Sequence, residues 1–134
     1  IFKKSKKIIQ IKDAVIKIKN KKIAINVEDF SGEYIYDIGP ETLKTAAKII
    51  QRAKFILWNG PLGWLEGGFE DGTKNLAHML ASSEAKTMVG GGDTVGFLRR
   101  HKLIRKFSFV STGGGAMLEF LAKGTLPGIE ALEK

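Results

Sequence analysis

The spacing of hydrophobic and polar positions changes near residue 36, and this change divides the chain into two regions. In the first region β-branched apolar residues partly alternate with lysines, which predicts strands over 7–12, 14–19 and 22–27. Asn20 and Lys21, between the last two runs, are predicted to form a turn. In the second region short apolar runs alternate with apolar stripes at helical spacing, which is typical of strand–loop–helix units.

The second region is predicted to contain helices over 40–53, 72–84, 93–101 and 116–122 and strands over 55–58, 87–89 and 107–110. The run at 55–58 is wholly apolar, as expected for a strand that is covered on both faces. Short strands that alternate with helices are joined by parallel crossovers. The sequence therefore predicts an α/β fold, a three-layer (αβα) parallel sheet of Rossmann-like type, preceded by a strand-rich segment over 1–36.

The composition excludes several kinds of site. The chain has no cysteine, so it has neither disulfides nor thiolate metal ligands, which fits a reducing compartment. No apolar run approaches the roughly 18 residues that a membrane-spanning helix needs, and the first residues lack the pattern of a secretory signal. The net charge of +8 is concentrated in lysines before residue 25 and in 99–102. This charge favours either a solvated basic face or a polyanionic partner.

Three apolar runs open into glycines, over 55–63, 88–94 and 109–116. A strand that ends in glycines exposes bare backbone, and backbone N–H groups at a helix start bind phosphate. The carboxyl ends of parallel strands lie at the same edge of a sheet, where ligands of such folds bind. The three loops therefore predict a shared anion-binding floor at one sheet edge.

Each loop also has a plain structural interpretation. Asp93 is either an N-cap or a carboxylate that binds Mg²⁺ beside a phosphate, and the two roles are compatible. The glycines at 113–115 either offer amides to negative charge or allow a close contact between helix and strand. The loop over 59–66 combines an apolar patch with Glu66, which suits a nucleoside or an ordinary surface loop.

These motifs, taken together, resemble phosphoglycerate kinase. The matching segments are Asp37–Glu41, Trp58–Gly63 with Glu66, Gly72–Thr73, Gly90–Thr94, Ser111–Ala116 with Leu118–Phe120, and Leu126–Ile129. They match in order and spacing from about residue 35 to the end. The resemblance implies that residues 1–134 are the C-terminal half of that enzyme's nucleotide-binding domain, with an incomplete sheet and a cytoplasmic location. It also implies phosphoryl transfer between 1,3-bisphosphoglycerate and Mg-ADP, with Mg²⁺ and ATP/ADP as cofactors.

The resemblance assigns roles residue by residue. The amides of Gly91, Gly92, Gly113, Gly114 and Gly115 would face the transferring phosphoryl group. On the nucleotide, Asn59 would lie near the phosphates, Leu62 and Leu65 near the adenine, and Glu66 would bind the ribose hydroxyls. Asp93 would bind Mg²⁺ and Thr94 a phosphate oxygen, and Pro61 would also belong to the nucleotide-binding residues. Such a reaction needs positioning and electrostatics more than covalent chemistry.

Two parts of the family pattern have no counterpart in this sequence: the basic domain that grips phosphoglycerate, and an upstream Gly-Gly-Ala-Lys type segment. We therefore expect weak or no kinase turnover from the chain alone, and pairing with the missing N-terminal part or self-association. The sequence leaves two alternatives. One is a basic nucleic-acid-binding module, against which stands the lack of aromatics among the lysines. The other is a non-catalytic structural or partner-binding fragment.

Overall fold

The computed structural model describes residues 7–32 and 34–133, and these form two compact units. The first unit contains the described residues up to 53 together with 61–84, and the second contains 54–60 and 85–133. Lys3, Lys4 and Lys6 of the predicted basic cluster lie outside the described residues, as does the start of the strand-rich segment.

The first unit is built around an antiparallel sheet. Strands β1 (Asp13–Ile18), β2 (Lys21–Asn26) and β3 (Asp37–Ile38) lie in the order β2-β1-β3. The predicted turn is wrong by one residue, because Ile18 pairs with Lys21 and leaves Lys19 and Asn20 as the two turn residues. Their φ angles of 46° and 64° are those of a type I′ hairpin turn.

The predicted strand over 7–12 is wrong. These residues are exposed and lie outside the strands of the structure, although their isoleucines alternate as a strand requires. A strand needs a neighbour for its backbone groups, and β1 already has β2 on one side and β3 on the other. The last bond of the hairpin, from the Val27 N–H to the Lys12 carbonyl, marks where pairing stops.

Helices α1 (Pro40–Ile50) and α2 (Asp71–Ala81) complete the first unit. Pro40 occupies the first helical position as predicted. Both helices end three residues before the predicted ends at 53 and 84. The chain tightens there into shorter turns, in which the Arg52 N–H donates to the Ile49 carbonyl and the Ser83 N–H to the Leu80 carbonyl.

Carboxylates from distant strands bind the N-terminal amides of both helices. Asp13 accepts hydrogen bonds from the Glu41 and Thr42 amides, both at 2.8 Å, and from Thr42 Oγ1 at 2.7 Å. Asp37 accepts one from the Gly72 amide at 2.8 Å. Burial raises the pKa of Asp37 even though that amide favours its charged form. Neither role was predicted from the sequence. Asp13 within a strand-like run was the one available signal, since aspartate is depleted in strands.

The second unit contains the parallel sheet. Strands β4 (Phe55–Asn59), β5 (Lys86–Gly90) and β6 (Phe109–Ser111) lie in that order, and α3 (Gly92–Arg100), α4 (Gly114–Lys123) and the short α5 (Pro127–Leu132) follow β5 and β6. The core of this unit includes Val89 with Phe97 and Leu98 of α3, which are fully buried. The predicted α/β fold is confirmed, with a strand-rich N-terminal sheet and a three-stranded parallel sheet among the described residues.

The prediction that β4 is covered on both faces is wrong. Trp58 is 6% exposed, whereas Phe55 and Leu57 are 57% and 39% exposed, so burial alternates along the strand. Phe109 of β6 lies on the same sheet face as Phe55 and Leu57 and is also exposed. An apolar run indicates only that burial of a strand is favourable, and the described residues leave the face of Phe55 and Leu57 partly exposed. None of the described helices is long and apolar enough to cross a bilayer.

Candidate functional site

The predicted glycine loops start at one edge of the parallel sheet. In the register of β4, β5 and β6, Asn59 pairs with Gly90, and Gly90 pairs with Ser111. Because the strands are parallel, the residues that follow each of them leave the sheet at the same edge. The second unit therefore holds the starts of all three loops together.

The loops approach one another so closely that glycine is required. A Cβ atom on Gly114 would overlap Asn59 Oδ1 and would lie 2.7 Å from the Gly91 nitrogen. A Cβ atom on Gly90 would overlap the Met117 methyl group and would lie 2.9 Å from Asn59 Oδ1. The Asn59 amide group thus lies between the other two turns, and Gly91 adopts a φ of 99° that side chains avoid.

Two helix N-termini open onto this edge. The first bond that closes α3 runs from the Val95 N–H to the Gly91 carbonyl at 2.9 Å, and that of α4 from the Met117 N–H to the Gly113 carbonyl at 2.8 Å. The amides of 92–94 and 114–116 precede these bonds and have no intrahelical acceptor. Such groups carry the positive end of the helix dipole and favour an anion.

The Gly91 amide differs from the other predicted donors. It donates to the Ser111 carbonyl at 3.2 Å and so belongs to the sheet. Gly91 therefore contributes the tight turn, while the amides of Gly92, Gly114 and Gly115 belong to the two helix ends. Gly113 directly precedes α4.

Thr94 has a buried hydroxyl without a partner. The residue is 0% exposed, and Thr94 Oγ1 makes no hydrogen bond to any described residue. It lies 3.7 Å from where a Cβ atom of Gly91 would stand, beside the glycine turn. An unsatisfied buried hydroxyl costs about 1–3 kcal/mol, so its presence at a helix start points to an acceptor that a ligand supplies.

Asp93 is the second residue of α3 and is exposed. The N-cap position belongs to Gly91, so the interpretation of Asp93 as an N-cap is wrong. Within the described ranges the Asp93 carboxylate has no hydrogen-bond or ion-pair partner. These ranges also hold no group of three or more acidic or histidine side chains that could bind a metal. A cation here would have one protein carboxylate and would keep waters, which is how Mg²⁺ is commonly bound.

The residues predicted to contact the nucleoside belong to the first unit. Glu66 and Pro61 are exposed, and Leu62 and Leu65 are partly buried. The Leu62 amide donates to Thr73 Oγ1 at 2.9 Å, which ties this loop to α2. The roles of these four residues remain predictions.

Thr94 and Thr73 are both fully buried but differ in what their hydroxyls do, and this gives a matched test. Replacing Thr94 by valine removes a hydroxyl that has no partner among the described residues, so we expect the free energy of unfolding to rise by up to about 1 kcal/mol. Thr73, also 0% exposed, accepts the Leu62 amide, so Thr73→Val should lower that free energy by about 1–2 kcal/mol. Urea unfolding of both variants measures the difference. Equal losses would show that Thr94 Oγ1 has a partner within the protein.

A family model described as phosphoglycerate kinase matches residues 1–124. Two relatives carry the same name. The phosphoglycerate kinase of Wigglesworthia glossinidia brevipalpis is 47% identical over 103 residues, which are 76% of this chain and 26% of that protein. That of Coprothermobacter proteolyticus is 44% identical over 132 residues, 96% of this chain and 34% of that protein. The chain thus spans about a third or less of the length of these relatives.

Solved structures show the same likeness. Phosphoglycerate kinase from Coxiella burnetii superposes with a TM-score of 0.76 at 42% identity, over 89% of this chain and 32% of that one. The enzyme from Pyrococcus horikoshii superposes with a TM-score of 0.78 at 31% identity, over 91% of this chain and 31% of that one.

Proposed function

We propose that this chain, which belongs to the phosphoglycerate kinase family, supplies part of the Mg-nucleotide site for phosphoryl transfer between 1,3-bisphosphoglycerate and Mg-ADP. The products are 3-phosphoglycerate and ATP. The observation that carries the proposal is the convergence of Asn59, the Gly91 turn and Gly114 at one sheet edge, beside two open helix N-termini. In this proposal the chain corresponds to the C-terminal half of the nucleotide-binding domain, with its strand-rich segment over 1–36.

The helix ends bind the phosphates in this proposal. The amides of Gly92, Gly113, Gly114 and Gly115 donate to phosphate oxygens. Gly91 makes the tight turn before α3, and the absence of a side chain at Gly114 lets the start of α4 approach that turn. Charge that develops on the transferring phosphoryl group meets donors that need no reorganisation, which lowers the barrier. Asn59 lies beside the same phosphates, and Thr94 Oγ1 donates to one oxygen and so gains the partner it lacks.

Asp93 holds Mg²⁺ in this proposal. Bound Mg²⁺ would neutralise negative charge on the phosphates. The fit rests on an exposed carboxylate in the first turn of α3, next to the amide ends, without an internal partner among the described residues. In the first unit, Leu62 and Leu65 pack against the adenine, Pro61 contributes to nucleotide binding, and Glu66 accepts hydrogen bonds from the ribose hydroxyls.

The proposed partner is the N-terminal part of the enzyme, which residues 1–134 do not cover, or else a second copy of the chain. The exposed apolar face formed by Phe55, Leu57 and Phe109 supports a partner of this kind, because large apolar side chains on one sheet face favour burial. We expect weak or no kinase turnover from the chain alone, and a coupled assay that gave ordinary kinase rates would contradict this. A monomer in light scattering would count against self-association. The cytoplasmic location stays a prediction.

One titration tests the proposal against its alternatives. Backbone amide shifts are followed while the chain is titrated with Mg-ADP and, separately, with a short DNA duplex. We expect Mg-ADP to shift residues 59–66, 90–94 and 112–116. Shifts with DNA alone over the lysines before residue 25 and over 99–102, weakening with salt, would instead favour a nucleic-acid-binding module. If neither ligand shifts any amide signal, the remaining interpretation is a non-catalytic structural or partner-binding fragment.

Removal of the Asp93 carboxylate should weaken the effect of magnesium on ADP binding. In Asp93→Asn we expect the Mg²⁺-dependent gain in ADP affinity to fall by about tenfold, or about 1.4 kcal/mol. ADP binding without Mg²⁺ should be unchanged, since the phosphate donors are backbone amides. Calorimetric titration with and without Mg²⁺ measures both affinities. Glu130→Gln, which removes an exposed carboxylate from α5, is the matched control. An equal magnesium effect in wild type and Asp93→Asn would rule out this ligand.

A further inference from the structure

A single lysine of β2 holds the end of the loop that carries Leu65 and Glu66. Lys22 Nζ donates to the Gly68 carbonyl at 2.6 Å and to Asp71 Oδ2 at 3.1 Å. The same ammonium lies 5.3 Å from the centroid of the Phe69 ring. One side chain thus contacts the last turn of the loop and the first residue of α2.

Backbone hydrogen bonds and a ring stack anchor the rest of the loop. The Trp64 amide donates to the Tyr36 carbonyl at 2.9 Å, and the Phe69 amide donates to the Trp64 carbonyl at 3.0 Å. The Phe69 ring also stacks on Tyr36 with centroids 4.6 Å apart. Both ends of the segment 64–69 are therefore anchored. Between them, Gly68 turns with a φ of 77°, and its carbonyl is bound by Lys22.

We propose that Lys22 is a positioning residue for the nucleoside part of the site. It acts through the Gly68 turn on Leu65 and Glu66, and the inference rests on the function proposed above. A loop that is held before the ligand arrives pays less conformational entropy on binding. The ion pair with Asp71 is exposed, with the Lys22 side chain 44% accessible, so its contribution to overall stability is small. The effect of Lys22 therefore belongs to binding and specificity.

The test compares three variants of the full chain. Lys22→Met keeps the aliphatic stem but removes the charge and the donors. Lys22→Arg restores both, together with the attraction to the Phe69 ring. Lys21→Met removes the same charge from the adjacent position of β2, where the side chain has no partner among the described residues. Each is titrated with Mg-ADP and with Mg-2′,3′-dideoxy-ADP, which lacks the ribose hydroxyls that Glu66 would bind.

In Lys22→Met we expect Mg-ADP affinity to fall by about fivefold, the scale of ordering one loop on binding. The preference for Mg-ADP over the dideoxy analogue should fall toward one, because the Gly68 turn beside Glu66 loses its contact with Lys22. Lys22→Arg should recover affinity and preference, and Lys21→Met should match wild type. Thr94→Val should weaken both nucleotides equally and leave the preference unchanged.

The outcomes separate this inference from the proposed function. If wild type does not bind Mg-ADP, both fail. If wild type binds both nucleotides equally, the ribose hydroxyls contribute nothing to binding. The proposed phosphate site is then still supported, but the role of Glu66 is wrong, and so is the positioning role of Lys22 that depends on it. If Lys22→Met keeps the affinity and preference of wild type, or if Lys21→Met weakens binding as much, the inference about Lys22 alone is wrong.

Discussion

Asp13→Ala should lower the free energy of unfolding by about 3 kcal/mol, since it leaves buried donors of α1 without an acceptor at about 1–3 kcal/mol each. The Asp13 side chain is nearly buried and binds the Glu41 amide, the Thr42 amide and the Thr42 hydroxyl. Gly39, the residue before α1, has no side chain that could replace it. The melting temperature should fall by about 10 °C. Thermal and urea unfolding measure both quantities.

Two comparisons make the Asp13 result specific. Asp29→Ala removes an exposed carboxylate from the same unit and should change stability by less than about 0.5 kcal/mol. Asp13→Asn keeps one oxygen acceptor and should lie between wild type and alanine. If Asp13→Ala had the same urea and thermal unfolding midpoints as wild type, the stability of α1 would not depend on this carboxylate.

The acid dependence of stability gives a second readout for Asp13. Burial alone would raise the pKa of Asp13, but its hydrogen bonds from Glu41 and Thr42 outweigh burial and lower it. The folded state therefore binds the Asp13 proton less tightly than the unfolded state does. Its contribution to stability is fully present above the ordinary aspartate pKa of about 3.9 and is lost as the pH falls below it. Asp13→Asn should flatten this part of the stability curve.

Gly114→Ala should damage both the fold and the site. The added Cβ would overlap Asn59 Oδ1 and would stand 2.7 Å from the nitrogen and 2.8 Å from the Cα of Gly91. Backbone atoms do not move aside as the end of a flexible side chain does, so we expect a loss of about 1–3 kcal/mol in the free energy of unfolding. Separation of α4 from the Gly91 turn should also weaken Mg-ADP binding by more than about tenfold, since about 1.4 kcal/mol is enough for that.

The neighbouring glycine provides the control. A Cβ on Gly115 would meet nothing within 4 Å, so Gly115→Ala should fold with wild-type stability or slightly above it, because alanine is the better helix former. Its Mg-ADP affinity should stay near that of wild type, since the amide is retained. Loss of binding in Gly114→Ala without loss of stability would place the damage in the ligand site alone. Unchanged stability and binding in Gly114→Ala would contradict the close approach of the loops.

Local patterns predicted the second region well, because its information is short-range. The apolar runs of β4 and β5 and the glycines that follow them mark each strand and the start of each loop within a few residues. Parallel pairing then places those starts at one edge, which is why Asn59, Gly90 and Ser111 were predicted together before their register was known. The same logic failed over 7–12, where alternation is present but none of the strands in the described part of the chain is available as a neighbour.

What the amino-acid order could establish was the kind of element at each position and the chemistry of the loops. Contacts between residues far apart in the chain needed the folded protein, because many pairings are compatible with one local pattern. Asp13 accepts a hydrogen bond from Thr42, 29 residues away in the sequence, and Lys22 donates one to Gly68, 46 residues away. The residues next to Asp13 and Lys22 in the sequence do not indicate these partners. The partly exposed face of β4 also needed the folded protein. Its apolar run indicates that burial is favourable, but it does not indicate whether another part of the protein covers that face.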